Sequence, residues 1–274
     1  MSQKFRPAAV AGTFYPESPA TLAREVGQML ANARGTKTAR PKAIIVPHAG
    51  YVYSGPVAAS LYASLEGLRE EPIERVILLG PTHRVAVDGL AVPSCTAFMT
   101  PLGSVPVDVQ AVASIAGLPQ VVCSDEAHAL EHSLEVQLPF LQAVLGDFSL
   151  VPLAVGHATA AEVADVLDRL WGGDETLIVV SSDLSHYLPY HAAQHSDAET
   201  AEQILALDPT IDHQHACGAT PVNGLLLAAR QHGLHATLID LRNSGDVTGT
   251  AAGDKSRVVG YGAFTFSCHA NPSH

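Results

Sequence analysis

Residues 43–50 read Ala43-Ile-Ile-Val-Pro-His-Ala-Gly50. Four apolar, mostly β-branched residues run without interruption into a tight turn that carries a histidine. A short, uniformly apolar run suits a strand buried on both faces. The same design recurs along the chain. Arg75-Val-Ile-Leu-Leu79 runs into Gly80-Pro-Thr-His83, Leu177-Ile-Val-Val180 into Ser181-Ser-Asp183-Leu-Ser-His186, and Ala236-Thr-Leu-Ile-Asp240 into Leu241-Arg-Asn-Ser-Gly-Asp246. Leu150–Val155 and Val258–Phe266 read as further strands. Helical patterns lie between them at Pro19–Ala33, Val57–Leu68, Asp125–Leu145, Ala160–Trp171, His195–Leu207 and Thr220–His232. Strands alternating with helices predict an α/β fold: a single domain with a central, mostly parallel or mixed β-sheet flanked by helices on both faces. The domain is expected to span 1–267, with Gly35–Lys42 a loop and 268–274 a C-terminal tail.

The chain has 274 residues, 47% hydrophobic and 15% charged, with a net charge of 15 − 27 = −12. That length can bury a core without covalent staples. The acidic balance argues against nucleic acid and anionic membranes as partners, since both select a basic face. The uncharged run Ala43–Leu65 is broken by Pro, Gly, Tyr and Ser and does not read as a membrane span. No apolar stretch follows the charged N-terminus, and the four cysteines show no CxxC spacing. The expectation is a soluble, cytoplasmic protein with reduced thiols.

In open α/β sheets ligands bind at the carboxyl ends of strands, and four strand exits here deliver a histidine or carboxylate to that side. His48 and His83 follow tight Gly/Pro turns, whose rigidity suits metal ligands. The alternative for each alone is a loop histidine bonded to the backbone. Asp246, in Asn243-Ser-Gly-Asp246, is an ordinary turn aspartate on local sequence. Together with His48 and His83 it would complete a two-histidine, one-carboxylate triad, which favours non-haem Fe(II) and leaves zinc, manganese and copper chemically admissible. His186 suits a general acid or base, and Asp183 could orient an imidazole or serve as a ligand. Both also fit a capping aspartate and a surface histidine. Glu131-His132-Ser-Leu-Glu135 reads as the opening of an amphipathic helix, with His132 and Glu135 on one face. Cys217 precedes a helix start, which can lower a thiol pKa, although a buried structural cysteine reads equally well. No phosphate loop, dinucleotide fingerprint or hydrolase elbow is present.

Taken together, Phe5-Arg-Pro…Gly12-Thr-Phe-Tyr-Pro16, Pro47-His-Ala-Gly-Tyr-Val-Tyr-Ser-Gly55, Gly80-Pro-Thr-His83, Glu131-His-Ser-Leu-Glu-Val-Gln-Leu-Pro-Phe140, Ser181-Ser-Asp-Leu-Ser-His-Tyr187 and Ser244-Gly-Asp246…Val258-Val-Gly-Tyr261 resemble the Memo-like family. In prokaryotes it is also called the AmmeMemoRadiSam system protein B family. The resemblance runs from about residue 5 to about residue 267. It implies a fold like that of class III extradiol ring-cleaving dioxygenases. His48 and His83 match the family's two metal histidines. Asp246 stands where animal Memo proteins have a cysteine and the dioxygenases a glutamate. His186 matches the acid/base histidine and His132 the substrate-side histidine. Glu131, Glu135, Cys217 and Tyr53 are expected to support the site or touch substrate.

The resulting expectation is an Fe(II)-dependent oxidoreductase of the dioxygenase type acting with O2 on a small, catecholic substrate. His186, His132 and Asp183 would be its catalytic groups. A metal-dependent hydrolase, with His186 or Glu135 as base, keeps the same site. A non-enzymatic, metal-binding adaptor for a peptide or protein is the third reading. The family's name also implies a functional link to a radical-SAM protein.

Overall fold

The computed structural model describes residues 4–33, 40–66, 72–246 and 254–268. Elements are numbered along the chain. Strand β2 (Ala43–Val46) lies near the middle of a mixed sheet, between β9 (Thr176–Ser181), parallel to it, and β12 (Val258–Ser267), antiparallel. Beyond β9 follow β3 (Arg75–Pro81) and β8 (Ser149–Val155), both parallel. Next comes β4 (Leu90–Val92), antiparallel to β8, and β7 (Val121–Cys123) pairs parallel with β4. On the other flank β10 (His186–Leu188) and β11 (His235–Asn243) pair antiparallel with β12. A separate small sheet joins β1 (Phe5–Arg6), β5 (Ala97–Thr100) and β6 (Gly103–Pro106).

Alternation along the central strands divides the core in two. Ile44, Val46, Val76 and Leu78 face helices α1 (Pro19–Ala33), α2 (Tyr51–Leu65) and α5 (Leu138–Leu145). Ala43, Ile45, Ile77 and Leu79 face α3 (Val109–Ile115), α6 (Ala160–Leu170), α7 (Tyr190–Leu205) and α8 (Ala219–Gln231). This is the expected α/β sandwich. β2, β3 and β9 all end on one side, and β11 runs the same way because it is antiparallel to β12. Their exits therefore converge.

Some boundaries differ from expectation. Helix α2 starts at Tyr51, not Val57, and takes Pro56 into its second turn, where the missing N–H forgoes one bond to the Val52 carbonyl. The expected end of that helix, residues 67–68, lies outside the described residues, as do residues 35–39 of the expected loop and 269–274 of the tail. The expected helix 125–145 is not continuous. Helix α4 (Asp125–Ala129) stops, the chain unwinds over 130–134, and one 3₁₀ turn (Glu135–Gln137) leads into α5. His132 and Glu135 therefore do not share a helix face. Among the described residues no helix is long and apolar enough to cross a membrane.

Helices α6 and α8 approach closely because Gly224 has no side chain: a Cβ there would collide with Val163. Gly224→Ala should destabilise the protein by about 1–3 kcal/mol through overpacking, read as a lowered urea midpoint. Adding Val163→Ala should recover part of the loss.

Candidate metal centre

His48 is the second residue after β2, and it is 2% exposed. Its backbone N–H donates to Asp183 Oδ1 at 2.7 Å. Its ring Nδ1 lies 3.0 Å from Ser181 Oγ, at the end of the neighbouring strand β9. Ser181 Oγ donates its own hydrogen to the Ser133 carbonyl and accepts one from Gln137 Nε2. With that hydroxyl hydrogen in use, His48 Nδ1 must be the donor, and Nε2 is the unprotonated ring nitrogen. Burial first, then the neighbouring His132 and His83, hold His48 well below the usual imidazole pKa.

His83 leaves β3 by the Gly-Pro-Thr turn. Its backbone N–H donates to Glu131 Oε2 at 2.6 Å and its Nδ1–H to Oε1 at 2.9 Å. The same carboxylate accepts the backbone N–H groups of His132 and Ser133, both at 2.9 Å. Burial would raise the Glu131 pKa, but His83 and these backbone donors outweigh it and hold the carboxyl at about 2. These bonds also explain the broken helix: the side chain takes N–H groups that a helix would have turned towards its preceding carbonyls.

Unwinding brings His132 against the other two imidazoles. Its ring centroid is 4.6 Å from that of His83 and 5.4 Å from that of His48, and Phe14 packs on it at 4.6 Å. One ring nitrogen from each of His48, His83 and His132 lies within 4.8 Å of the others. Burial lowers His132 to about 4, so it too is neutral at pH 7. The three rings grade from buried (His48) through half-buried (His132) to exposed (His83). They line a cavity of about 850 Å3 that also meets Phe14, Asp183, His186 and Cys217.

Asp183 is buried, and its pKa rises to about 6 because burial outweighs the His48 N–H and the nearby histidines. His186 gives its Nδ1–H to the Leu184 carbonyl at 2.8 Å, leaving Nε2 as the free ring nitrogen. Cys217 Sγ sits 3.3 Å from His48 Nε2. Burial and then the Asp183 charge push this thiol up to about 12, so the lowering expected from a helix start is overridden. Glu135 faces away from the cavity. It is fully buried and pairs with Arg6, while accepting bonds from Ala9 N, Val10 N and Tyr15 Oη. Tyr53 is exposed on the first turn of α2 and does not line the cavity. Asp246 is neither in the group of three histidines nor in the cavity lining, and its carboxylate accepts from Tyr190 Oη and from Asn243 N at 2.9 Å. Each oxygen accepts one of these bonds and keeps a further lone pair. Sequence reasoning passed over Ser181, Gln137, Phe14 and His213. The first three lie within the quoted motifs, and the motif pattern was the available signal.

Residues 6–265 match the family model described as Memo-like protein. Among curated relatives, a MEMO1 family protein of Ignicoccus hospitalis is 36% identical, covering 95% of this chain and 98% of that one. One from Aeropyrum pernix is 36% identical over 95% and 99%, and one from Aquifex aeolicus 36% over 94% and 97%. The crystal structure of uncharacterized protein JW3007 from Escherichia coli K12 superposes with a TM-score of 0.51 at 15% identity, covering 82% of this chain and all of that one, and shows the fold alone.

Two opposed pH effects follow for the metal-free protein. His132 titrates near 4 when folded against an ordinary 6.5, so stability should fall as pH drops from about 6.5 to 4. Glu131 adds a further loss between 4.5 and about 2. Urea midpoints across this range check both, and His132→Gln should flatten the upper part. Asp183 acts oppositely: its pKa is raised from 3.8 to about 6, so its contribution is lost as pH rises through 6. Asp183→Asn should therefore remove this loss, so that its urea midpoint gains on that of wild type as pH rises from 4 to 7.

Proposed function

This chain belongs to the Memo-like family, and on that premise we propose that it is an Fe(II)-dependent oxidoreductase of the dioxygenase type, acting with O2 on a small catechol-like substrate. The observation that supports this most is the convergence of His48, His83 and His132 within 4.8 Å, at the carboxyl ends of buried strands. The donor set fits a metal. All three rings are neutral-imidazole donors of the type that suits iron, zinc and copper. Two are oriented through Nδ1 by Ser181 and Glu131, the arrangement that fixes the tautomer of a metal-binding histidine. Three protein donors also leave positions for other ligands. When bound, the metal would supply Lewis-acid activation and a meeting point for substrate and O2.

The chain's own residues supply the rest. His186 offers Nε2 as a proton acceptor, its other nitrogen being held by the Leu184 carbonyl. Asp183, with a pKa near 6, can hold or release a proton close to neutral pH while its Oδ1 fixes the backbone of His48. Phe14 closes one wall with an apolar ring and limits water beside His132. The three-histidine set favours one second reading, zinc-assisted hydrolysis, because such sets also serve zinc enzymes that activate water.

The test is anaerobic loading with Fe(II) or Zn(II), metal analysis, and oxygen uptake with a panel of catechols. About one metal per chain is expected. Alanine at His48, His83 or His132 should abolish it, and Glu131→Gln should weaken affinity 10–100-fold. Oxygen uptake should need iron and fall sharply in His186→Ala. Retained zinc with ester hydrolysis and no oxygen uptake would move the assignment to the second reading. A protein that takes up no metal would overturn both.

A further inference from the structure

The cavity is poor in acid in a chain that is rich in it. Acids outnumber lysines and arginines 27 to 15. Yet the cavity lining carries one carboxylate, Asp183, against five histidines. At its mouth stands Tyr187, 62% exposed and held at φ 61°, a left-handed backbone that a bulky residue adopts only where the surroundings impose it. The flanking residues His186 and Leu188 also line the cavity, and the short β10–β12 pairing holds all three. The guanidinium of Arg257 lies 4.9 Å over the Tyr187 ring. Among the described residues it makes no ion pair or side-chain hydrogen bond. The neighbouring acid, Asp254, accepts from Ser256 with both oxygens and interacts with Arg257 by charge, with no ion pair or side-chain hydrogen bond to it. An exposed guanidinium thus stacks on a ring that lines a cavity of about 850 Å3. That volume suits a molecule larger than a bare ring.

We propose that the cavity is built for a small organic acid, one end of which lies against the three imidazoles while a carboxylate at the other end is received by Arg257 beside Tyr187. This rests on the reading of the cavity as a substrate site and narrows it to anionic substrates. A guanidinium matches a carboxylate in plane and in spacing, forming two parallel charge-assisted bonds. Tyr187, packed beneath the guanidinium, positions it. The apolar Leu188 and Val259 give the body of the ligand a surface between the two polar ends.

The experiment compares 3,4-dihydroxybenzoate with catechol by calorimetry on Fe(II)-loaded protein under argon, in wild type, Arg257→Met and Arg257→Lys. Arg257 is exposed, and far-ultraviolet circular dichroism confirms that each variant is folded. Wild type should bind the carboxylate compound about tenfold more tightly than catechol, with the preference shrinking as salt screens the exposed cation. Arg257→Met should erase the preference and leave catechol affinity unchanged. Arg257→Lys should keep part of it. Equal affinity for the two compounds in wild type, an undiminished preference in Arg257→Met, or no binding of either would overturn the proposal. Oxygen uptake is measured separately. Its absence with the Arg257-dependent preference intact would sink the dioxygenase reading and leave this one standing. Its presence without any Arg257 dependence would do the reverse.

Discussion

Glu131 is an ionised carboxylate buried almost completely, and it is tolerable there because four N–H groups converge on it: two from His83 and one each from His132 and Ser133. An unpartnered charge in that place would cost several kcal/mol. The four donors come from two parts of the chain that share no secondary structure, so satisfying one side chain also joins the end of β3 to the segment after α4. The tautomer of His83, the break in the helix and the placement of His132 beside His83 are three results of one interaction.

Four residues on, Glu135 solves the same problem on the opposite side. Its partners are Arg6, Ala9, Val10 and Tyr15, all from the N-terminal segment. That segment is thereby drawn under the site, and Phe14 reaches the face of His132. A buried ion pair adds little net stability over an apolar replacement, but removing one partner alone is strongly destabilising. Its value here is positional, because it fixes a loop that has only two residues of strand. The unwound stretch between the two glutamates thus separates two tasks: one end organises imidazoles and the other anchors the wall that covers them.

Much of this frame was legible in residues 43–50 and their counterparts. A buried parallel strand announces itself by an unbroken apolar run, and its exit must lie at the ligand side of the sheet. That reasoning placed His48, His83, Asp183 and His186 around one region. The helix break was not legible, because periodicity registers spacing along the chain, whereas Glu131 answers to His83, 48 positions away. Leu134, Leu138 and Leu141 keep a helical rhythm across a segment that is not one helix, since each still points into the same core. Asp246 illustrates a different limit. Asn243-Ser-Gly-Asp246 has the same composition whether its carboxylate meets a metal or closes a turn, and its partner Tyr190 comes from α7, 56 positions away. For Cys217 the local rule about helix starts is sound, but depth of burial overrules it.

The order of strands has a consequence for how the molecule comes into being. Strand β2 emerges from the ribosome early, yet its two neighbours are β9, complete only at Ser181, and β12, complete only at Ser267. Until β9 is complete its four apolar residues have no neighbouring strand, and His48 lacks both Ser181 and Asp183. The imidazole trio therefore cannot be preassembled on a growing chain. A nascent fragment ending before Ser181 would offer scattered histidines to passing ions, and selective capture would begin only once β9 has joined β2.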